Sequence, residues 1–172
     1  HNSRAFRTGY ELCPGERACE LRADELAQRG HVEMLQVCLA RLKAESDSDS
    51  ISKEECSSKD ADLAAERGHL AAIRVLREYC IHCTTTGADR AAGSCYMEIV
   101  HDLRAHGIHC TFNGANLAAK NGHLEVIRDL RAHNIHCTSQ GADVAASHGR
   151  LDVIRDLRLH SIHCTFTGAD WA

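Results

Sequence analysis

The tripeptide Ile-His-Cys occurs at residues 81–83, 108–110, 135–137 and 162–164, each copy following the last by 27 residues. A second marker, Gly-Ala-Asp or Gly-Ala-Asn, keeps the same step from Gly87, Gly114, Gly141 and Gly168, with Asp60-Ala61-Asp62 one period earlier. Two markers locked to one period mean that the chain consists of copies of one supersecondary unit. Such a unit cannot bury its own apolar face, so the copies must stack into a solenoid.

The clearest unit runs from Gly114 to Gln140. Its first part, around Ala115 to Lys120, is short and rich in alanine, and Gly122 supplies a break after it. Leu124, Val126, Ile127 and Leu130 follow at helical spacing, with Glu125, Arg128, Asp129 and Arg131 on the other side. The pattern predicts two helices per unit, the second amphipathic. Asn134 stands where Gly107 and Ser161 stand in the neighbouring copies, a set suited to a left-handed helix stop. Neither helix exceeds about three turns, so neither would persist alone in water, and stability has to come from the neighbours.

This register places units at about 22–59, 60–86, 87–113, 114–140 and 141–167, with a partial copy at 168–172. The first is looser. Asp24 and Asp62 are 38 residues apart, 11 more than one period, and the excess falls in Ala44–Ser58, where Ser, Asp, Glu and Lys cluster. That segment reads as an exposed loop. Residues 1–21 do not fit the repeat and read as an N-terminal cap or irregular segment.

Composition narrows the function. Lys and Arg total 20 against 24 Asp and Glu, a formal net charge of -4, which argues against a general phosphate-neutralising surface and hence against nucleic acid. No run approaches the roughly 18 apolar residues of a membrane span, so a soluble chain without a membrane partner is expected. The chain starts at His1 with no apolar signal segment behind it, which fits a processed form or a fragment. Ten cysteines suggest a disulfide framework at first sight. Yet Cys83, Cys110, Cys137 and Cys164 share one repeat position, and stacked helices lie about 8–10 Å apart. A disulfide needs Cα atoms within about 7 Å, so these cysteines read as small core residues in a reducing, cytoplasmic setting.

At Ala118-Ala119-Lys120-Asn121-Gly122-His123-Leu124-Glu125-Val126-Ile127 the chain resembles the centre of an ankyrin repeat, with similar segments at Ala64–Ile73 and Ala145–Ile154 and a weaker one at Leu26–Leu35. The copy at 87–113 departs, with Cys95 and Tyr96 where Gly and His are expected. The resemblance covers about 22–172. It implies an all-α helix-turn-helix solenoid that binds a protein partner. Ankyrin units usually have 33 residues; the 6 missing here fall where the family carries its β-hairpin finger. Short turns such as Thr138-Ser139-Gln140 are expected instead, and the threonine and proline that open the family's first helix are expected to be absent. His31, His69 and His123 follow a glycine at the start of the second helix and are taken as structural, as in the family.

His133, His136 and Cys137 form an H-x-x-H-C cluster, echoed at His106, His109 and Cys110 and at His160, His163 and Cys164. Zinc accepts imidazole and thiolate. Against a metal site, neighbours in an extended turn point to opposite sides and Cys137 is wanted in the core, so the cluster lacks a full ligand set. The ordinary reading is histidines closing helix ends. Cys80-Ile81-His82-Cys83 is a lone CxxC that falls on the repeat register and lacks a second pair. No nucleophile elbow, phosphate loop or paired-carboxylate pattern occurs, so neither an enzyme nor a cofactor is expected.

Arg-Asp-Leu-Arg at 128–131 and 155–158, with Asp102-Leu103-Arg104 before them, lays a ladder of alternating charge along the second helices. Such ladders are ordinarily solvated faces with ion pairs between units. The functional reading makes Arg104, Arg128, Asp129, Arg131, Arg155, Asp156 and Arg158 a docking surface for a charged partner. Trp171, on an unfinished last unit, would support self-association by end-to-end stacking. The chain is therefore expected to be an interaction scaffold that uses the faces of its stacked helices, or alternatively a structural subunit of a filament or larger assembly.

Overall fold

The computed structural model describes residues 22–45 and 56–165. Among them the chain forms ten helices and no strand. The helices come in five pairs: α1 (Ala23–Arg29) with α2 (Val32–Glu45), α3 (Ser58–Glu66) with α4 (Leu70–Glu78), α5 (Thr85–Gly93) with α6 (Met97–Ala105), α7 (Phe112–Asn121) with α8 (Leu124–Ala132), and α9 (Ser139–Ser147) with α10 (Leu151–Leu159). Successive pairs pack side by side, which makes the fold an all-α helical repeat solenoid. No helix among the described residues is long and apolar enough to cross a membrane.

The first helices begin one turn earlier than the repeat markers suggest. Thr84 and Thr111 are extended, and their hydroxyls accept the N–H of Thr86 and of Asn113, each at 3.1 Å, which opens α5 and α7. Thr138 holds the same place before α9, and Ser57 forms a capping box with Asp60 before α3. Thus α7 starts at Phe112 and not near Ala115, and Ser139 and Gln140 are helical rather than a short turn. A threonine precedes α5, α7 and α9 and a serine precedes α3, and the structural units start at 57, 84, 111 and 138.

Gly87, Gly114 and Gly141, which mark the repeat in the sequence, are buried inside first helices. Close approach of the preceding unit accounts for them: a Cβ on Gly114 would lie 2.7 Å from Asp89 Oδ1 and 3.1 Å from its Cα. Asp89 reaches this point to cap the next helix. Its Oδ1 accepts the Thr111 N–H and its Oδ2 the Thr111 hydroxyl, both at 2.6 Å. Asp62 binds Thr84 likewise, and Asp143 binds Thr165. Asn116 stands in for the carboxylate, accepting the Thr138 N–H through Oδ1 and donating from Nδ2 to its hydroxyl, each at 2.9 Å.

Left-handed residues end the helices. Gly68, Cys95, Gly122 and Gly149 follow the first helices, and Cys80, Gly107, Asn134 and Ser161 the second. After α8, for example, Ile135 N–H returns to Leu130 O and Asn134 N–H to Arg131 O, the Schellman pattern. That places Ile135 and Cys137 against the core, as the periodicity predicts.

First helices contribute small buried residues, such as Ala115, Ala118 and Ala119, whereas second helices contribute Val126, Ile127 and Leu130 and their equivalents. Small side chains let the first helices approach most closely, and the second helices are joined across units mainly by charged side chains. Cys83, Cys110 and Cys137 are buried, each donating its thiol proton at 3.3 Å to a first-helix carbonyl of the preceding unit: Ala61, Ala88 and Ala115 respectively. Within the expected 44–58 loop, residues 44 and 45 continue α2 and Cys56 is buried. Residues 46–55, the expected N-terminal cap 1–21 and Trp171 lie outside the described residues.

Candidate functional site

The charge ladder on the second helices is a repeated four-residue cluster. Asp102, on α6, accepts from Arg77 and, at 3.0 Å, from Arg74 Nε, both on α4. Arg77 Nη1 lies 3.0 Å from His106 Nε2, while His106 Nδ1 lies 2.7 Å from the Asp102 carbonyl oxygen. Arginine only donates, so Nε2 accepts and Nδ1–H donates to the carbonyl, which fixes the tautomer of His106.

The arrangement recurs twice. Asp129 accepts from Arg104 at 2.5 Å and from His101 at 3.2 Å, and Arg104 also reaches His133 at 3.1 Å. Asp156 accepts from Arg131 and from Arg128 at 3.1 Å, and Arg131 reaches His160 at 3.1 Å. Burial pushes these three aspartate carboxyls up, but hydrogen bonds and charge from their Arg or His neighbours outweigh it and leave them below the ordinary carboxylate range.

These contacts place the residues proposed from sequence for docking. Arg104, Asp129, Arg131 and Asp156 are engaged between units, with the Arg104 and Asp129 side chains only 16% and 19% exposed. Arg128 is 60% exposed but also holds Asp156. On α10, in the last described unit, Arg155 touches Asp152 at 3.5 Å and the Arg158 side chain is exposed. The ladder is thus chiefly the glue between second helices.

The structure does not bring His133, His136 and Cys137 together. His133 uses both ring nitrogens, on Arg104 and on the Asp129 carbonyl, His136 is exposed, and the Cys137 thiol points inward to Ala115. Burial pushes that thiol up to about 11, and those of Cys83 and Cys110 to about 12, unlike a thiolate ready for a metal. Among the described residues no group of three or more His, Cys, Asp or Glu is placed to hold a metal ion.

A different surface is open. Across α3, α5 and α7 runs a groove of about 530 Å³, lined by Leu63, Glu66, Arg90, Gly93, Ser94, Leu117 and Asn121. Its depth comes from Gly93, where Leu117 leans over and a Cβ would lie 2.9 Å from Leu117 Cβ. Arg90 crosses the groove to Glu66 at 2.8 Å, and Asn121 Nδ2 donates to Gly93 O at 2.7 Å. No protein-family model matches this sequence, and no curated protein does. The surface must therefore be read from its own chemistry. Leu63, Arg90, Leu117 and Val144 recur at the 27-residue step on successive first helices, and all remain at least partly exposed. The signal was in the sequence, since an alanine-rich helix carrying one large side chain per copy at a fixed position displays it outward.

Proposed function

We propose that the chain is a protein–protein interaction scaffold and that its partner lies across the face of the first helices, over the groove at Gly93. The observation that carries this reading is the contrast between two faces: second-helix charges are tied up between units, whereas the first helices present a groove with apolar and polar side chains in register. The resemblance of the Ala118–Ile127 segment to ankyrin arrays supports the same use. Affinity isolation from source cells tests it with the wild-type chain, a groove-filling Ser94→Trp variant and a Glu98→Trp control on the exposed side of α6. Capture of a specific partner by wild type and control, but not by Ser94→Trp, is expected. Loss with both variants, or no specific partner of the wild type, would sink the reading.

A second reading, end-to-end assembly, has one observation in its favour. Large apolar side chains are exposed on the second helices of the outermost described units, Met34 and Val37 on α2 and Leu151 and Leu159 on α10. Light scattering over a concentration series checks it: assembly requires mass that rises with concentration and falls when Leu151 and Leu159 become serine.

A further inference from the structure

We infer that the exposed histidines of the turns between units, His82, His109, His136 and His163, hold divalent transition-metal ions, each ion shared by two imidazoles from adjacent units.

Retention between the copies singles these residues out. Nine positions carry the same residue in all four copies, and in the copy at 114–140 they are Ala115, Ala118, Ala119, Leu130, Arg131, Ile135, His136, Cys137 and Thr138. All but the histidine have a task in the fold. The alanines, Leu130, Ile135 and Cys137 form the core or pack against it, Arg131 binds Asp156, and Thr138 is bound by Asn116 in front of α9. The histidine is exposed in every copy, and among the described residues its side chain makes no hydrogen bond or ion pair. Other exposed positions have drifted. Glu78, Ala105, Ala132 and Leu159 share one place in the repeat, and Thr86, Asn113 and Gln140 another. A side chain kept in the open while its exposed neighbours change serves a ligand from outside the chain.

Position supplies the geometry. Ile and Cys face the core on either side of the histidine, which turns outward in each unit. The backbone beside it is fixed. Cys110 bonds Ala88 and Thr111 bonds Asp89, with Cys83 and Thr84, and Cys137 and Thr138, held alike. Equivalent histidines therefore recur at the spacing of stacked helices, about 8–10 Å. Two imidazoles leaning together across that gap place an ion at about 2.0–2.1 Å from one nitrogen of each, with water at the remaining positions.

Chemistry selects the ion. A neutral imidazole has one nitrogen free to accept, and it suits zinc, copper and nickel, whereas magnesium and calcium call for oxygen. The turns 80–86, 107–113, 134–140 and 161–165 contain no Asp or Glu. The carboxylates that reach them, Asp62, Asp89 and Asp143, bind threonine through both oxygens. This pairing crosses units and leaves Cys137 in the core, unlike the H-x-x-H-C grouping within one unit.

Calorimetric titration of the full chain with zinc chloride tests the inference, with accessible thiols alkylated in every sample and magnesium chloride as the control. His109→Gln/His136→Gln leaves no two adjacent histidines in the column, whereas His82→Gln/His163→Gln keeps the His109–His136 pair. Both variants replace two exposed side chains, and circular dichroism confirms both folds. The wild type should take up two zinc ions more than the first variant, and the second variant one more. Zinc affinity at a shared site should exceed that of the first variant on the order of 100-fold. Ring signals of these histidines should move with zinc and stay in place with magnesium. Equal uptake by the two variants would overturn the shared site, because imidazoles acting singly are lost equally from both. Wild-type uptake no greater than that of the first variant would overturn it too. A zinc-dependent rise in mass by light scattering would overturn it in favour of an ion joining two copies.

Discussion

At the residue scale, the repeat rests on contacts in which one side chain serves the neighbouring unit. Asp89 makes two charge-assisted bonds to Thr111, so Asp89→Ala should cost about 2 kcal/mol in unfolding free energy, measured by urea denaturation. Asp89→Asn should cost less than half of that, because Asn116 already performs the same capping with an amide. Gly114→Ala runs against ordinary helix propensity. Alanine is the better helix former, yet its Cβ would press on Asp89 and on that residue's backbone, so a loss of about 1–3 kcal/mol is expected instead of a gain. The left-handed stops behave oppositely. Cys95 (φ 65°) carries a Cβ where glycine is unstrained, so Cys95→Gly should raise stability by about 1 kcal/mol in the same assay.

At the scale of the element, α4, α6 and α8 are each fastened to the next second helix by an Arg–Asp–His cluster. The carboxyls of Asp102, Asp129 and Asp156 are held below their ordinary range in the folded chain, so unfolding raises their affinity for protons. Their contribution is fully present above the unfolded value, about pH 4, and is lost as pH falls through the lower folded value. Denaturation midpoints measured from pH 6 to pH 2.5 should therefore drop most steeply below about pH 4. Asp129→Asn should weaken the chain at pH 7, by about 2 kcal/mol, and reduce the steepness of that acid limb. A variant with the wild-type acid limb would show that the cluster contributes nothing to joining the helices.

For the whole molecule, stability is close to a sum of unit and interface contributions, and units at the end of a stack have one neighbour fewer. Leu103, in α6, and Leu157, in α10, are both fully buried. Either one changed to alanine should cost about 2–4 kcal/mol, but with different reach. Leu157→Ala should accelerate hydrogen exchange mainly in α9 and α10, whereas Leu103→Ala should loosen α4 through α8 together. Thiol alkylation gives an independent check. Cys80 and Cys95 are exposed and should label within the folded state, while Cys56, Cys83 and Cys110, pushed up to about 12, should label only on opening.

The sequence by itself determined the 27-residue step, the pairing of an alanine-rich helix with an amphipathic one, the left-handed stops at Gly107, Asn134 and Ser161, and the inward cysteines. All of these follow from local propensity and apolar spacing, which act within one unit. Only the tertiary structure decided where a unit begins and which charges are available. Gly114 looks like punctuation until Asp89 of the preceding unit is placed against it, and Arg131 looks like a docking residue until Asp156 of the next closes on it. Both depend on contacts 25 residues apart in sequence, whose geometry is set by how closely the alanine faces let neighbouring units approach.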